Sequence, residues 1–173
     1  MSLILLRHTK PDGADGVCYG RTDLPLADGL DAEVARLLGE LPHTIRILSS
    51  PLSRCLKLAE AIGSARGQAV EVEQNLIEMD FGAWENRAWD NIPRAEVDAW
   101  VSDFHNSKPH GGESVAELGA RVQSALNAVM SGPVPVLAVT HSGVIRAALA
   151  AAGDPKGWHV DTKFGHWREV IWP

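Results

Sequence analysis

At 173 residues, with 45% hydrophobic and 22% charged side chains, the chain has the size and make-up of one soluble globular domain, residues 1–173. Its formal charge of −6 argues against a general nucleic-acid binder, and no apolar run reaches the roughly 18 residues of a membrane span. Two cysteines, Cys18 and Cys55, and an N-terminus without a leader pattern give an expectation of reduced thiols in a cytoplasmic protein.

Leu3-Ile4-Leu5-Leu6 predicts a strand buried on both faces, as in a parallel sheet with helices on each side. Arg7 and His8 stand where that strand ends, and Pro11-Asp12-Gly13 turns the chain into a loop. In open α/β sheets ligands bind beyond the carboxyl ends of the strands, which is where this pair is delivered. Asp12–Gly29 reads as a long loop, a type uncommon unless functional, and Cys18-Tyr19-Gly20-Arg21-Thr22-Asp23 within it suits one wall of a site. Leu30, Val34, Leu37, Leu38 and Leu41 then share one helical face, with Asp28 at the N-cap position and Pro42 as the stop.

Ile45–Leu48 predicts a second strand. Ser50 suits the cap of the helix that follows, Pro51 its first position, and Leu52, Cys55, Leu56, Ala59 and Ile62 its apolar stripe. Arg54 thus falls in the first turn of a helix that starts at a strand's carboxyl end. The helix dipole favours anions there, so an Arg at that place is best explained by an anion bound by both. Val70–Glu73 is a short strand, and 75–91 a loop or short-helix region holding Glu78, Phe81, Trp84 and Trp89. Asp80-Phe81-Gly82 matches a kinase triplet, but no glycine-rich phosphate loop accompanies it. Ser114 and Glu117 form a capping-box pattern at the head of the longest helix, whose stripe is Val115, Leu118, Val122, Leu126 and Val129. The glycines at 111 and 112 allow close backbone approach.

Val134–Thr140 is a second buried strand, followed by His141, Ser142 and an apolar helix over 144–152. It repeats the plan of the first segment, and two such strands side by side bring His8 and His141 to one mouth. Trp158, Val160, Thr162 and Phe164 alternate like an edge strand, and 167–172 supplies the last strand, open to pairing with another subunit.

The strand ends and helix starts therefore deliver Arg7, His8, Arg54, His141 and, from its loop, Glu78. Guanidinium forks suit phosphate oxygens, and neutral imidazole forms covalent intermediates. Phosphoryl transfer asks mainly for positioning and charge, which two Arg and a His supply, so the expectation is a metal-free and cofactor-free site indifferent to chelators.

Leu6-Arg7-His8-Thr9, Ser50-Pro51-Leu52-Ser53-Arg54, Glu78 ahead of Phe81-Gly82-x-Trp84-Glu85, Gly111-Gly112-Glu113-Ser114 and Thr140-His141-Ser142-Gly143-Val144-Ile145-Arg146 resemble the signature blocks of the histidine phosphatase (phosphoglycerate mutase-like) superfamily, in the family order. Residues 18–26 and 84–93 look most like its α-ribazole phosphatase branch. The resemblance implies a three-layer α/β/α sandwich with a mostly parallel sheet. It also implies a phosphatase for a small phosphomonoester such as α-ribazole 5′-phosphate in cobalamin synthesis. His8 would be the nucleophile, Arg7, Arg54 and His141 the phosphoryl-binding groups, and Glu78 the proton donor. Tyr19, Gly20, Arg21, Thr22 and Ser142 would be substrate contacts. Thr9, Ser142 and Asn86 each replace a common family Gly, and the mutase-specific block after the acid is absent, which favours hydrolysis over mutase chemistry. The alternatives are a phosphohistidine protein phosphatase, a mutase-type enzyme, or a non-catalytic anion-binding domain.

Overall fold

The computed structural model describes residues 1–173. Four aliphatics in a row cannot be shared between a wet and a dry face, and β1 (Ser2–Arg7) accordingly lies inside a sheet covered on both sides. Leu3 and Leu5 pack with α4 (Val115–Met130) and α5 (Ser142–Ala151). Ile4 and Leu6 face the other way, into a cluster with α1 (Leu30–Glu40) and α2 (Ser53–Arg66). All four are at most 1% exposed, so each contributes about 2 kcal/mol of burial. The result is a three-layer α/β/α sandwich.

The sheet adds β3 (Arg46–Ser49), β4 (Val70–Val72), β6 (Val136–Thr140) and β7 (Trp167–Ile171), in the order β4-β3-β6-β1-β7. Only β7 is antiparallel to its neighbour. β6 is the central strand, fully buried along its length, and its register pairs Arg7 with Thr140 and Val139 with Ser49. Three carboxyl ends are thereby level, and the next residue of each, His8, His141 and Ser50, emerges on one edge. The two-stranded ribbon β2 (Val17–Cys18) and β5 (Arg87–Ala88) belongs to a satellite layer with α3 (Arg94–Ser102). Cys18, Trp84 and Ile92 are its buried centre, and Trp84 satisfies its indole N–H on Glu96 at 2.7 Å.

Ser114 and Glu117 close both bonds of the capping box that their spacing predicts. The backbone at 112 does approach another closely, since a Cβ on Gly112 would lie 2.2 Å from the Asp80 carbonyl oxygen, whereas Gly111 is called for by its φ of 71° and has open space around it. Four expectations need correction. The long loop contains β2, and Pro11 bridges to Leu26 across it. Asp28 does not cap α1, because Gly29, at φ 98°, holds that position and no side chain closes the turn. α2 begins at Ser53 rather than beside Ser50. Its opening N–H donates instead to Asp23 of the long loop, at 3.0 Å, so a tertiary carboxylate supplants the local cap. Residues 158–164 form no strand, since β7 already occupies the edge of β1. The carbonyls of Val160, Asp161 and Thr162 accept from Arg146, Arg168 and Arg7 instead.

Candidate active site

His8 and His141 meet edge to face, ring centroids 5.2 Å apart, as the pairing of β1 with β6 requires. His8 is 2% exposed, and its Nδ1 lies 2.7 Å from the Thr9 carbonyl oxygen. A carbonyl only accepts, so Nδ1 carries the proton and Nε2 keeps a bare lone pair. Burial, then the charges of Arg54 and Arg7, hold the His8 pKa down to about 3, despite the opposing bond to Thr9. The imidazole is thus neutral at ordinary pH. Desolvation is the larger cause, and the two guanidiniums add to it.

Arg7 donates from Nη1 to the Thr162 carbonyl at 2.7 Å and lies over the Phe164 ring at 3.8 Å. Arg54 is fully buried and donates to the carbonyls of Gly20 and Thr22. The Nε–H of each guanidinium is buried without a partner. Two unmatched donors on permanent cations, beside two imidazoles, make a place built for an anion. His141 is also fully buried, and burial first, then His8, Arg54 and Arg7, keep its pKa well below the usual value. Its Nε2 lies 2.7 Å from Ser50 Oγ and 3.4 Å from Cys55 Sγ.

Glu78 reaches the site from the loop after β4. Its carboxylate accepts the N–H of Gly143 at 3.1 Å and of Met79 at 2.9 Å. Gly143 is in the first turn of α5, and a Cβ there would sit 2.3 Å from Glu78 Oε1. A cavity of about 220 Å³ opens beside these groups. Arg7, His8, Tyr19, Glu78, Ser142 and Arg146 supply its polar side, while Phe81, Trp89, Trp100, Phe104 and Trp158 make an aromatic wall. Such a space admits a mainly apolar or aromatic ligand with one charged end.

Of the predicted site residues, Arg7, His8, Tyr19, Glu78 and Ser142 line this cavity, and Arg54 and His141 lie buried beside His8. Gly20, Arg21 and Thr22 do not line it. Their backbone N–H groups converge on the Glu85 carboxylate at 2.9–3.1 Å, and the Thr22 hydroxyl joins them at 2.6 Å. The Arg21 side chain turns toward Asp80 and Glu113. Their polarity serves to strap the loop to Glu85 and Arg54. Ser50 and Arg146 were not singled out by sequence. Ser50 next to a proline reads as a cap, but Arg146 is one helical turn from Ser142, a spacing that puts both on one face.

The profile of the Histidine phosphatase superfamily (branch 1) matches residues 3–164. The adenosylcobalamin/alpha-ribazole phosphatase of Escherichia coli is 29% identical, over 98% of this chain and 89% of its own length. The glucosyl-3-phosphoglycerate phosphatase of Mycolicibacterium vanbaalenii is 30% identical, over 86% of this chain and 72% of its own. Among solved structures, the alpha-ribazole phosphatase of Shigella flexneri superposes with a TM-score of 0.82 at 26% identity, covering 99% of this chain and 90% of that one.

Proposed function

This chain belongs to the histidine phosphatase superfamily, and from that premise we propose that it hydrolyses a small phosphomonoester through a phosphohistidine on His8. The observation that carries the reading is the His8 imidazole: neutral, with Nδ1–H committed to Thr9 and Nε2 bare, between two cations with unmatched N–H groups. Nε2 attacks phosphorus and the P–O ester bond breaks. Glu78 in its acid form gives its proton to the departing alkoxide. As a carboxylate it then takes a proton from the water that attacks the phosphohistidine, releasing inorganic phosphate and restoring both side chains. Arg7 and Arg54 offset the phosphoryl charge throughout, and His141, neutral, holds a phosphoryl oxygen with a ring N–H.

The aromatic wall and the alpha-ribazole phosphatases among the relatives support α-ribazole 5′-phosphate as the substrate, with Tyr19 and Ser142 as contacts. The test is a screen of small phosphomonoesters, α-ribazole 5′-phosphate included, followed by acid-quench labelling. His8→Ala is expected to abolish an acid-labile phosphoenzyme. Glu78→Gln should slow hydrolysis of alkyl phosphates far more than that of p-nitrophenyl phosphate, whose leaving group needs no proton. A label on Ser or Asp, or equal losses on both substrates, would overturn the role given to that residue.

A further inference from the structure

Ser50 has no part in the mechanism so far, yet its hydroxyl is fully buried against His141 and within 2.7 Å of Nε2. The Oγ already accepts the Leu52 N–H, at 3.3 Å, so its own hydrogen needs an acceptor. Were Nε2 the protonated nitrogen, it would donate to Oγ and leave the Ser50 hydrogen buried with no oxygen or nitrogen to receive it. With Nε2 bare, the hydroxyl donates to it and both atoms are satisfied. The proton of the neutral ring then resides on Nδ1. Cys55 does not change this outcome. Its sulfur is nearer Nε2, at 3.4 Å, than Nδ1, at 3.8 Å, but burial keeps the thiol protonated and so only a weak acceptor beside the imidazole nitrogen that the Ser50 hydroxyl needs.

We propose that Ser50 is a positioning residue that fixes the tautomer of His141, so that Nδ1–H is presented as a hydrogen-bond donor to the phosphoryl group carried by His8. This rests on the phosphatase reading above. The two imidazoles are then the same tautomer used from opposite ends. In His8 the protonated nitrogen is tied to Thr9 and the bare one reacts. In His141 the bare nitrogen is tied to Ser50 and the protonated one faces the anion. With the opposite tautomer, His141 would turn a lone pair toward the phosphoryl oxygens and repel them.

The experiment is side-chain nitrogen-15 NMR of the full chain with and without inorganic phosphate, paired with p-nitrophenyl phosphate kinetics. Wild-type His141 is expected as the Nδ1–H tautomer, with its Nδ1 signal shifted by phosphate. Ser50→Ala should give a mixed tautomer and lower kcat about 10- to 100-fold, the size expected for one hydrogen bond to charge, with a smaller change in KM. Ser50→Thr, which keeps the hydroxyl, should restore both signals. An Nε2–H tautomer in the wild type overturns the proposal, and so does a Ser50→Ala enzyme of unchanged kcat. If the wild type binds phosphate through Nδ1–H yet turns over no phosphomonoester, the phosphatase reading fails while the tautomer assignment stands.

Discussion

A buried strand of four aliphatics can carry polar side chains only at its ends, so the place of Arg7 and His8 at its carboxyl end is legible in the sequence. His141 is legible for the same reason. Ser50 and Glu85 are not: each acts on a residue more than 60 positions away in the chain, through contacts that only the fold creates. Gly143 shows how finely the Glu78 carboxylate is held. Its N–H binds Glu78, and the space a methyl would need is already filled by that carboxylate. Gly143→Ala is therefore expected to push Glu78 aside and reduce kcat on alkyl phosphates by about 10- to 100-fold, less than the roughly 10²–10⁴-fold of losing a general acid outright. p-Nitrophenyl phosphate, run alongside, should lose much less. Equal activity on both, with wild-type rates, would mean that the carboxylate needs no such support.

Among the elements, those with strong local signals match the sequence reading: the paired buried strands, the α1 stripe and the capping box of α4. The misses share a cause. Asp23 caps α2 from another segment, and 158–164, which alternate like a strand, give the carbonyls of Val160, Asp161 and Thr162 to three arginines instead of a neighbouring strand, so tertiary partners displaced the local pattern. Ser114→Ala should cost about 1 kcal/mol and lower Tm by roughly 2–4 °C with kcat unaffected, since the cap lies outside the site. Thermal unfolding by circular dichroism measures it. The strap at Gly20–Thr22 has a different readout. Its N–H groups and those of Phe81 share the Glu85 carboxylate, whose pKa their hydrogen bonds hold down against burial. Glu85→Ala should release these amides, so hydrogen exchange at 20–22 should rise by at least about tenfold while that of β1 stays slow.

At the scale of the whole molecule, the buried imidazoles set the acid limit of the fold. The His8 pKa is about 3 when folded against 6.5 in a model peptide, so the unfolded chain takes up a proton that the native state refuses. Stability is therefore full above pH 6.5 and falls by about 1.4 kcal/mol per pH unit toward pH 3, with His141 contributing in the same direction. Chemical denaturation between pH 7 and pH 4 should show this slope, and His8→Gln should reduce it. At pH 5, by contrast, the His8 imidazole is still unprotonated in the native state, so under the proposed mechanism no loss of turnover from His8 protonation is expected there.

The central position of β6 has one more consequence, for synthesis. His8 is made almost at once, but the strand that brings His141 beside it starts at Val136, and the sheet between β1 and β3 has a gap until then. A pairing so distant along the chain forms late, after the slow closure of a very large loop. On the ribosome the His8–His141 pair thus cannot form until just over four-fifths of the polypeptide has been made.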